Sequence, residues 1–328
     1  MKVLLTGATG FVGSHILDEL CAKGISTAVL LRRSSNLRFI ENHLPQMEVH
    51  FGSVTEPESL RPALANVSHV IHCAGCTKAV RREEFFEVNG TGTRNLVEAV
   101  NQHRGSVQRL VHISSLAVSG PATAGHPALE CDLPNPVSEY GRSKLAAENE
   151  VRENCRAEFV MLRPGGVYGP RDTDFFKMFK AVTARVLPEF GGGRQAFSLA
   201  FVKDLAQAAV KCLTHASAAG KTFNVAASEI VTARALMSEI SRQMKIRIIR
   251  IPLPLAALWP ICLAQEILSR VTGKPSILSL EKYGELRAPG WVCDALRIRK
   301  EIGFANDTLL RDGIAETLHW YRQQGWLS

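Results

Sequence analysis

The stretch Met1 to Gly13, MKVLLTGATGFVG, restricts the fold of this chain more than any other. Lys2 to Leu5 is a short apolar run of the kind a strand buried on both faces needs, and Thr6 to Gly13 bends it into a helix. Gly7 allows a tight turn, Gly10 lets the backbone approach an anion closely, and Gly13 lets the helix lie on the strand. The helix start then offers unpaired N–H groups to a phosphate. The spacing Gly-x-x-Gly-x-x-Gly is one residue wider in its first gap than the usual dinucleotide fingerprint. An ordinary turn can carry three glycines, but the position between an opening strand and the helical pattern of Ser14 to Ala22 favours a pyrophosphate cradle.

Ser26 to Leu31 reads as a second buried strand ending at Arg32-Arg33-Ser34. An acidic residue here would hold an adenosine ribose diol, whereas arginine can pair with a 2′-phosphate. Arg32 therefore points to NADP, with NAD as the alternative, and Arg33 can stack on the adenine or add charge. The plainer reading is a solvated pair at a strand end. Met47 to Phe51 is a third strand followed by Gly52-Ser53-Val54, Pro57 to Ala65 a helix with proline in its first turn, and Val67 to Ala74 a fourth strand. His69, His72, Cys73 and Cys76 overlap in metal-ligand spacings. His72 and Cys73 are consecutive in a strand and point to opposite faces, so no metal is expected. Glu87 to Val100 reads as a helix, Leu110 to Ile113 as a fifth strand running into Ser114-Ser115, and Ser138 to Glu153 as a helix. On that helix Tyr140 and Lys144 share one face.

Composition narrows the partners. Lys plus Arg number 39 against 31 acidic residues, a formal charge of +8. The basic residues are dispersed, with no basic run interleaved with aromatics, so the charge reads as a solvated surface favouring anionic ligands and no nucleic acid is expected. The 8 cysteines follow no framework spacing, and no disulfides are expected. A strand beginning at residue 2 leaves no room for a signal peptide, so the expected location is the cytoplasm. Ile251 to Ala264, IPLPLAALWPICLA, is apolar but short and broken by Pro252, Pro254 and Pro260. A transmembrane helix is not expected there; the run can be core, line an apolar pocket or rest on a membrane surface.

Taken together, TGATGFVG at 6 to 13, Asn89-Gly90-Thr91, HISSLAVSG at 112 to 120, Tyr140-x-x-x-Lys144 and the stretch Arg163 to Pro170 resemble the extended short-chain dehydrogenase/reductase superfamily. Phe201-Val202-Lys203-Asp204, Phe223-Asn224-Val225 and the closing WYRQQGW are also similar, so the resemblance covers nearly the whole chain. It implies an α/β fold, a Rossmann-like doubly wound parallel sheet with a smaller C-terminal substrate-binding domain. Residues 1–170 plus about 197–228 would form the dinucleotide domain, and about 171–196 plus 229–328 the substrate domain. Carried over by position, Tyr140 is the proton donor or acceptor, Lys144 holds the nicotinamide ribose, and Ser115 completes the catalytic set. The resemblance adds cofactor contacts from Thr9, Phe11, Val12, Ser53, Val54, Cys73, Ala74, Gly75, Pro164 and Val167, and a homodimer through the helices around 87 to 103 and 138 to 153. Asn89 reads as a supporting residue near the site or as a structural helix residue.

Departures refine the expected activity. Ser53 stands where many members hold adenine with an acid. Leu116-Ala117 replaces the Asp-Glu of the dehydratases, and Phe197 stands where sugar-nucleotide epimerases commonly place a pyrophosphate-clamping arginine, with Arg194 nearby. The stretch from Lys274-Pro275 to Trp291-Val292-Cys293-Asp294, then Arg297 to Phe304, is similar to the 3β-hydroxysteroid dehydrogenase and dihydroflavonol reductase branch, which handles bulky apolar alcohols and ketones. The expectation is an NADP-dependent secondary-alcohol oxidoreductase on an apolar small molecule. A sugar-nucleotide epimerase and a cofactor-sensing protein without turnover are the alternatives.

Overall fold

The computed structural model describes residues 1–103, 105–272, 280–305 and 308–327. The first half runs β1 (Lys2–Thr6), α1 (Phe11–Ala22), β2 (Ser26–Leu31), β3 (Glu48–Phe51), α2 (Pro57–Ala63), β4 (His69–His72), α3 (Arg82–Phe85), α4 (Gly92–Gln102), β5 (Arg109–Ile113), α5 (Glu139–Asn154) and β6 (Glu158–Pro164). The second half adds β7 (Gly166–Tyr168), α6 (Phe175–Thr183), β8 (Val186–Phe190), β9 (Ala196–Phe201), α7 (Val202–Cys212), β10 (Lys221–Val225), β11 (Ile230–Thr232) and α8 (Ala233–Met244). It closes with β12 (Ile249–Leu253), α9 (Leu258–Thr272), α10 (Leu280–Leu286), β13 (Gly290–Trp291), α11 (Leu296–Ile302) and α12 (Leu310–Gln323). Lys274-Pro275 lies outside the described residues.

Seven strands form one parallel sheet in the order β10-β6-β5-β4-β1-β2-β3. Alternation decides its two faces. Val3 and Leu5 enter one core with Ile16 and Leu20 of α1, Leu205 and Ala209 of α7 and Phe223, while Leu4 between them enters the other with Leu60, Leu96, Val97 and Val151. Helices thus cover both faces, as a parallel sheet requires. The strand order reverses between β1 and β4, which opens a crevice at their carboxyl ends.

The later segments build a second layer. β9 pairs antiparallel with β11 and parallel with β7 and β13, and β8 pairs with β12. Phe175, Phe179, Phe201, Ile240, Ile314 and Tyr321 form its core, with Tyr321 stacked on Trp326 at 5.5 Å. The chain then returns to the first layer, where Ile298, Ile302 and Phe304 join the α1–α7 core.

The expected boundaries shift locally. The fourth strand is confined to His69–His72 and the second helix ends at Ala63. The segment expected as one helix from Glu87 to Val100 opens with a π-helical turn, Phe86–Thr91, before α4. There Asn89 has its side chain on the loop after β4 and its carbonyl on the Thr93 hydroxyl, 2.6 Å away.

Candidate active site

The glycine loop lies at the crevice. Gly7 has φ 76°, and a Cβ there would stand 2.6 Å from the Ala74 nitrogen. A Cβ on Gly13 would lie 2.0 Å from the Gly7 carbonyl oxygen, so the helix reaches the strand only with glycine. Gly10 donates its N–H to that carbonyl at 3.0 Å and starts α1. A Cβ on Gly10 would meet only the Gly7 oxygen, at 3.3 Å, so its outer side is open. Thr9 is half-buried beside it, Phe11 lies edge-on to His15, and Val12 packs on the α1–α7 core.

The rim of the crevice carries the expected adenosine contacts. Arg32 and Arg33 are exposed just beyond β2, and the Arg33 guanidinium sits over the Phe51 ring at 5.2 Å. Ser53 turns its hydroxyl onto Thr55, accepting from the Thr55 N–H at 3.2 Å with the two hydroxyls 2.8 Å apart. The Val54 side chain is in the core, and its carbonyl accepts from the Asn95 amide at 2.9 Å. Pro164 ends β6 in register with Val225, while Val167 sits in β7 opposite Ala200.

At the middle of the crevice, α5 brings Lys144 to the end of β5, one turn beyond Tyr140. Ser138 caps this helix, its hydroxyl accepting from the Gly141 N–H at 3.1 Å. Lys144 is buried and donates its ammonium to the Ile113 carbonyl at 2.7 Å. A Cβ on Gly75 would lie 4.0 Å from Lys144 Nζ. Burial pulls Lys144 down to about 8, opposed by the nearby Cys73 and Glu148. Burial also pushes the Cys73 thiol up to about 12. Ser115 starts the short turn after β5, its hydroxyl accepting from the Ala117 N–H at 3.2 Å. The half-buried Tyr140 ring leans on Phe85 at 6.3 Å.

Asn89 ties these parts together. Its amide donates to the Cys76 carbonyl at 2.9 Å and to the Ser143 hydroxyl at 2.8 Å, while its oxygen accepts from the Cys76 N–H at 2.8 Å. Ser143 in turn donates to the Tyr140 carbonyl at 2.8 Å. The loop after β4 is thereby fastened to the helix bearing Tyr140 and Lys144.

Sequence reasoning missed the support behind this edge. Glu148, fully buried one turn past Lys144, accepts from Arg163 at 2.8 and 2.6 Å and from the Ser114 hydroxyl at 2.6 Å. Arg163, near the end of a strand with an apolar middle, hints at a buried partner without naming it. His72 has both ring nitrogens occupied, by the Thr6 and Thr93 hydroxyls at 2.8 and 2.9 Å. Among the described residues, no group of three or more His, Cys, Asp or Glu could hold a metal ion. All eight cysteines are free thiols.

A cavity of about 430 Å³ opens in the second layer between β8, the start of α8 and residues 286–289. Leu187, Phe190, Met237 and Leu258 give it apolar walls, and Arg194, Arg234, Arg250 and Arg287 reach it, with Glu189 the one carboxylate among the described residues that line it. Glu189 is gripped by Arg234 at 3.0 and 2.6 Å, with Arg250 at 3.5 Å.

A doubly wound parallel sheet with a glycine cradle at its reversal point defines the dinucleotide-binding class. The chain belongs to the NAD dependent epimerase/dehydratase family, whose pattern matches residues 3–226, in agreement with the resemblance to the extended short-chain dehydrogenases. A ceramide reductase of Caulobacter vibrioides is 30% identical over 329 residues, covering 99% of this chain and 96% of the relative. A UDP-glucose 4-epimerase of Vibrio cholerae is 26% identical over 335 residues, covering 98% and 96%. The crystal structure of gox2253 matches with a TM-score of 0.81 at 25% identity, covering 99% of both chains.

Proposed function

We propose that the protein is an NADP-preferring oxidoreductase that interconverts a secondary alcohol and a ketone on a bulky, largely apolar substrate. The observation that carries this reading is the Lys144 ammonium, buried at the end of β5 beside Gly75 and one turn along α5 from Tyr140. The residues fit a dinucleotide: a Cβ on Gly7 or Gly13 would strike backbone, while Gly10 faces open space at a helix start. Gly7, Gly10 and Gly13 would hold the pyrophosphate, Arg32 the adenosine end and Lys144 the nicotinamide ribose. When bound, the cofactor supplies or accepts a hydride.

In the oxidation direction Tyr140 takes the substrate hydroxyl proton, and in reduction it returns one. A free tyrosine has a pKa of about 10, and an ammonium brought close to it, the role proposed for Lys144, would favour the phenolate. The Ser115 hydroxyl orients the same substrate oxygen by hydrogen bonding. Residues 1–170 with about 197–228 would serve the cofactor and the remainder the substrate, and the family resemblance extends the proposal to a homodimer through α4 and α5. Support for an apolar substrate comes from the walls of the second-layer cavity and from the relative named as a ceramide reductase.

A nucleotide-sugar epimerase is the second reading, favoured by the four arginines of that cavity, which could take a diphosphate. Turnover of an apolar ketone with NADPH, set against interconversion of a UDP-hexose, separates the two. Tyr140→Phe tests the chemistry common to both. NADPH binding should persist while turnover falls about 10²- to 10⁴-fold, and near-normal turnover would remove Tyr140 from its role.

A further inference from the structure

The segment after β12 turns the wrong way for a core helix. Ala256, Pro260, Ala264, Ile267, Leu268 and Val271 recur at helical spacing and are exposed, while Leu258 and Cys262 face inward. Trp259 is 50% exposed, Ile267 56% and Val271 79%. Ile249 and Ile251 of β12, and Leu255 just after it, are also exposed. A run of exposed apolar side chains of this kind, unlike single scattered ones, points to an interaction site.

Charge selects the partner. Residues 245–269 contain Lys245, Arg247 and Arg250 against one acid, Glu266, and Lys245 and Arg247 are exposed. A twofold contact between copies of this face would set one net-basic surface against another. An apolar stripe with a tryptophan at its edge and cations alongside is the composition of a segment that lies in an anionic bilayer interface. Among the described residues no helix is long and apolar enough to cross a membrane. Leu255 and Leu258 also line the 430 Å³ cavity, so the apolar face and the cavity are continuous.

We infer that the outer face of residues 249–271 docks the protein on the surface of an anionic lipid bilayer, with the cavity opening beside the lipid. The inference goes beyond the redox reading and is tested without turnover. The full-length protein is mixed with vesicles of phosphatidylcholine, alone or with phosphatidylglycerol, and the bound fraction is read by flotation. The wild type should float with the mixed vesicles and be released by added salt. Ile267→Asp with Val271→Asp, both at exposed positions, should cut the bound fraction about tenfold or more. Arg247→Glu should lower binding to the mixed vesicles and leave the weak binding to phosphatidylcholine unchanged. Circular dichroism and NADPH binding check that the variants are folded, and Arg247→Glu remains informative if the double variant is not. No flotation of the wild type overturns the inference, as does unchanged binding of either variant. A wild-type oligomer that the double variant dissociates, without vesicle binding, assigns the face to a second copy and also overturns it.

Discussion

Arg32 stands exposed beyond the end of β2, in the position from which a side chain reaches an adenosine ribose. Its neighbour Arg33 already lies over Phe51, so the proposed reading of a 2′-phosphate falls to Arg32. A charge-assisted bond of this kind contributes about 1.5 to 3 kcal/mol, a preference for NADP over NAD of about tenfold or more. Titrating both cofactors against the wild type and Arg32→Ala checks it: the wild type should favour NADP and the variant should lose most of that preference. Equal binding of NAD and NADP by the wild type would reassign the arginine to the adenine face. Ser53 illustrates what residue identity leaves open, since its hydroxyl is turned onto Thr55 and any adenine contact from this turn would fall to its backbone.

The element on which most depends is α5. Tyr140, Ser143, Lys144 and Glu148 recur at helical spacing, so one face carries the Tyr140 phenol, the clamp to Asn89, the ammonium and the buried carboxylate. Glu148 and Arg163 are both buried, and removing Arg163 leaves Glu148 to the Ser114 hydroxyl and to the Arg152 guanidinium 3.4 Å away. Arg163→Met should therefore destabilise the fold by about 3 kcal/mol, the low end for a broken buried pair. Combining it with Glu148→Leu should recover much of that loss, since two apolar side chains avoid the desolvation of both charges. Urea unfolding of the wild type, the single variants and the double variant measures the coupling. A single-variant effect under about 0.5 kcal/mol, the range of ordinary surface changes, would show that the pair does not hold α5 to β6.

For the whole molecule, buried histidines set the response to acid. Desolvation lowers His15 to about 4 and His72 to about 3, and lowers His112 well below 6.5, with the Lys144 charge adding to the effect on the last two. Below pH 6.5 the unfolded chain binds protons at these three sites that the folded chain refuses, so stability falls as the pH drops. Asp172 acts oppositely: burial raises it to about 6, so the folded state takes up a proton between pH 6 and 3.8 that the unfolded chain does not. The three histidines together outweigh Asp172, so the net effect of these groups below pH 6 is a loss of stability. Urea midpoints at pH 7, 6 and 5 should fall accordingly. A flat profile would mean that these histidines are protonated in the folded protein.

The glycine loop, the strand-and-helix alternation and the Tyr140–Lys144 pair were legible in the sequence because each is decided within a few residues. Gly13 must be glycine to let α1 pass the Gly7 carbonyl, and residues four apart on a helix share a face whatever surrounds them. The π-helical turn at Phe86–Thr91 was not legible, because it accompanies an Asn89 that reaches across to Cys76 and Ser143. The Glu148–Arg163 pair, likewise, joins a helix to the strand after it through a contact that residue types alone do not announce. The apolar run at 251–264, read as sequence, suited core first, then a pocket wall, and a membrane surface last. Only the packed chain exposes Ile251, Leu255 and Trp259 while burying Leu258 and Cys262, because burial depends on which distant segments cover an element, and local periodicity carries no record of them.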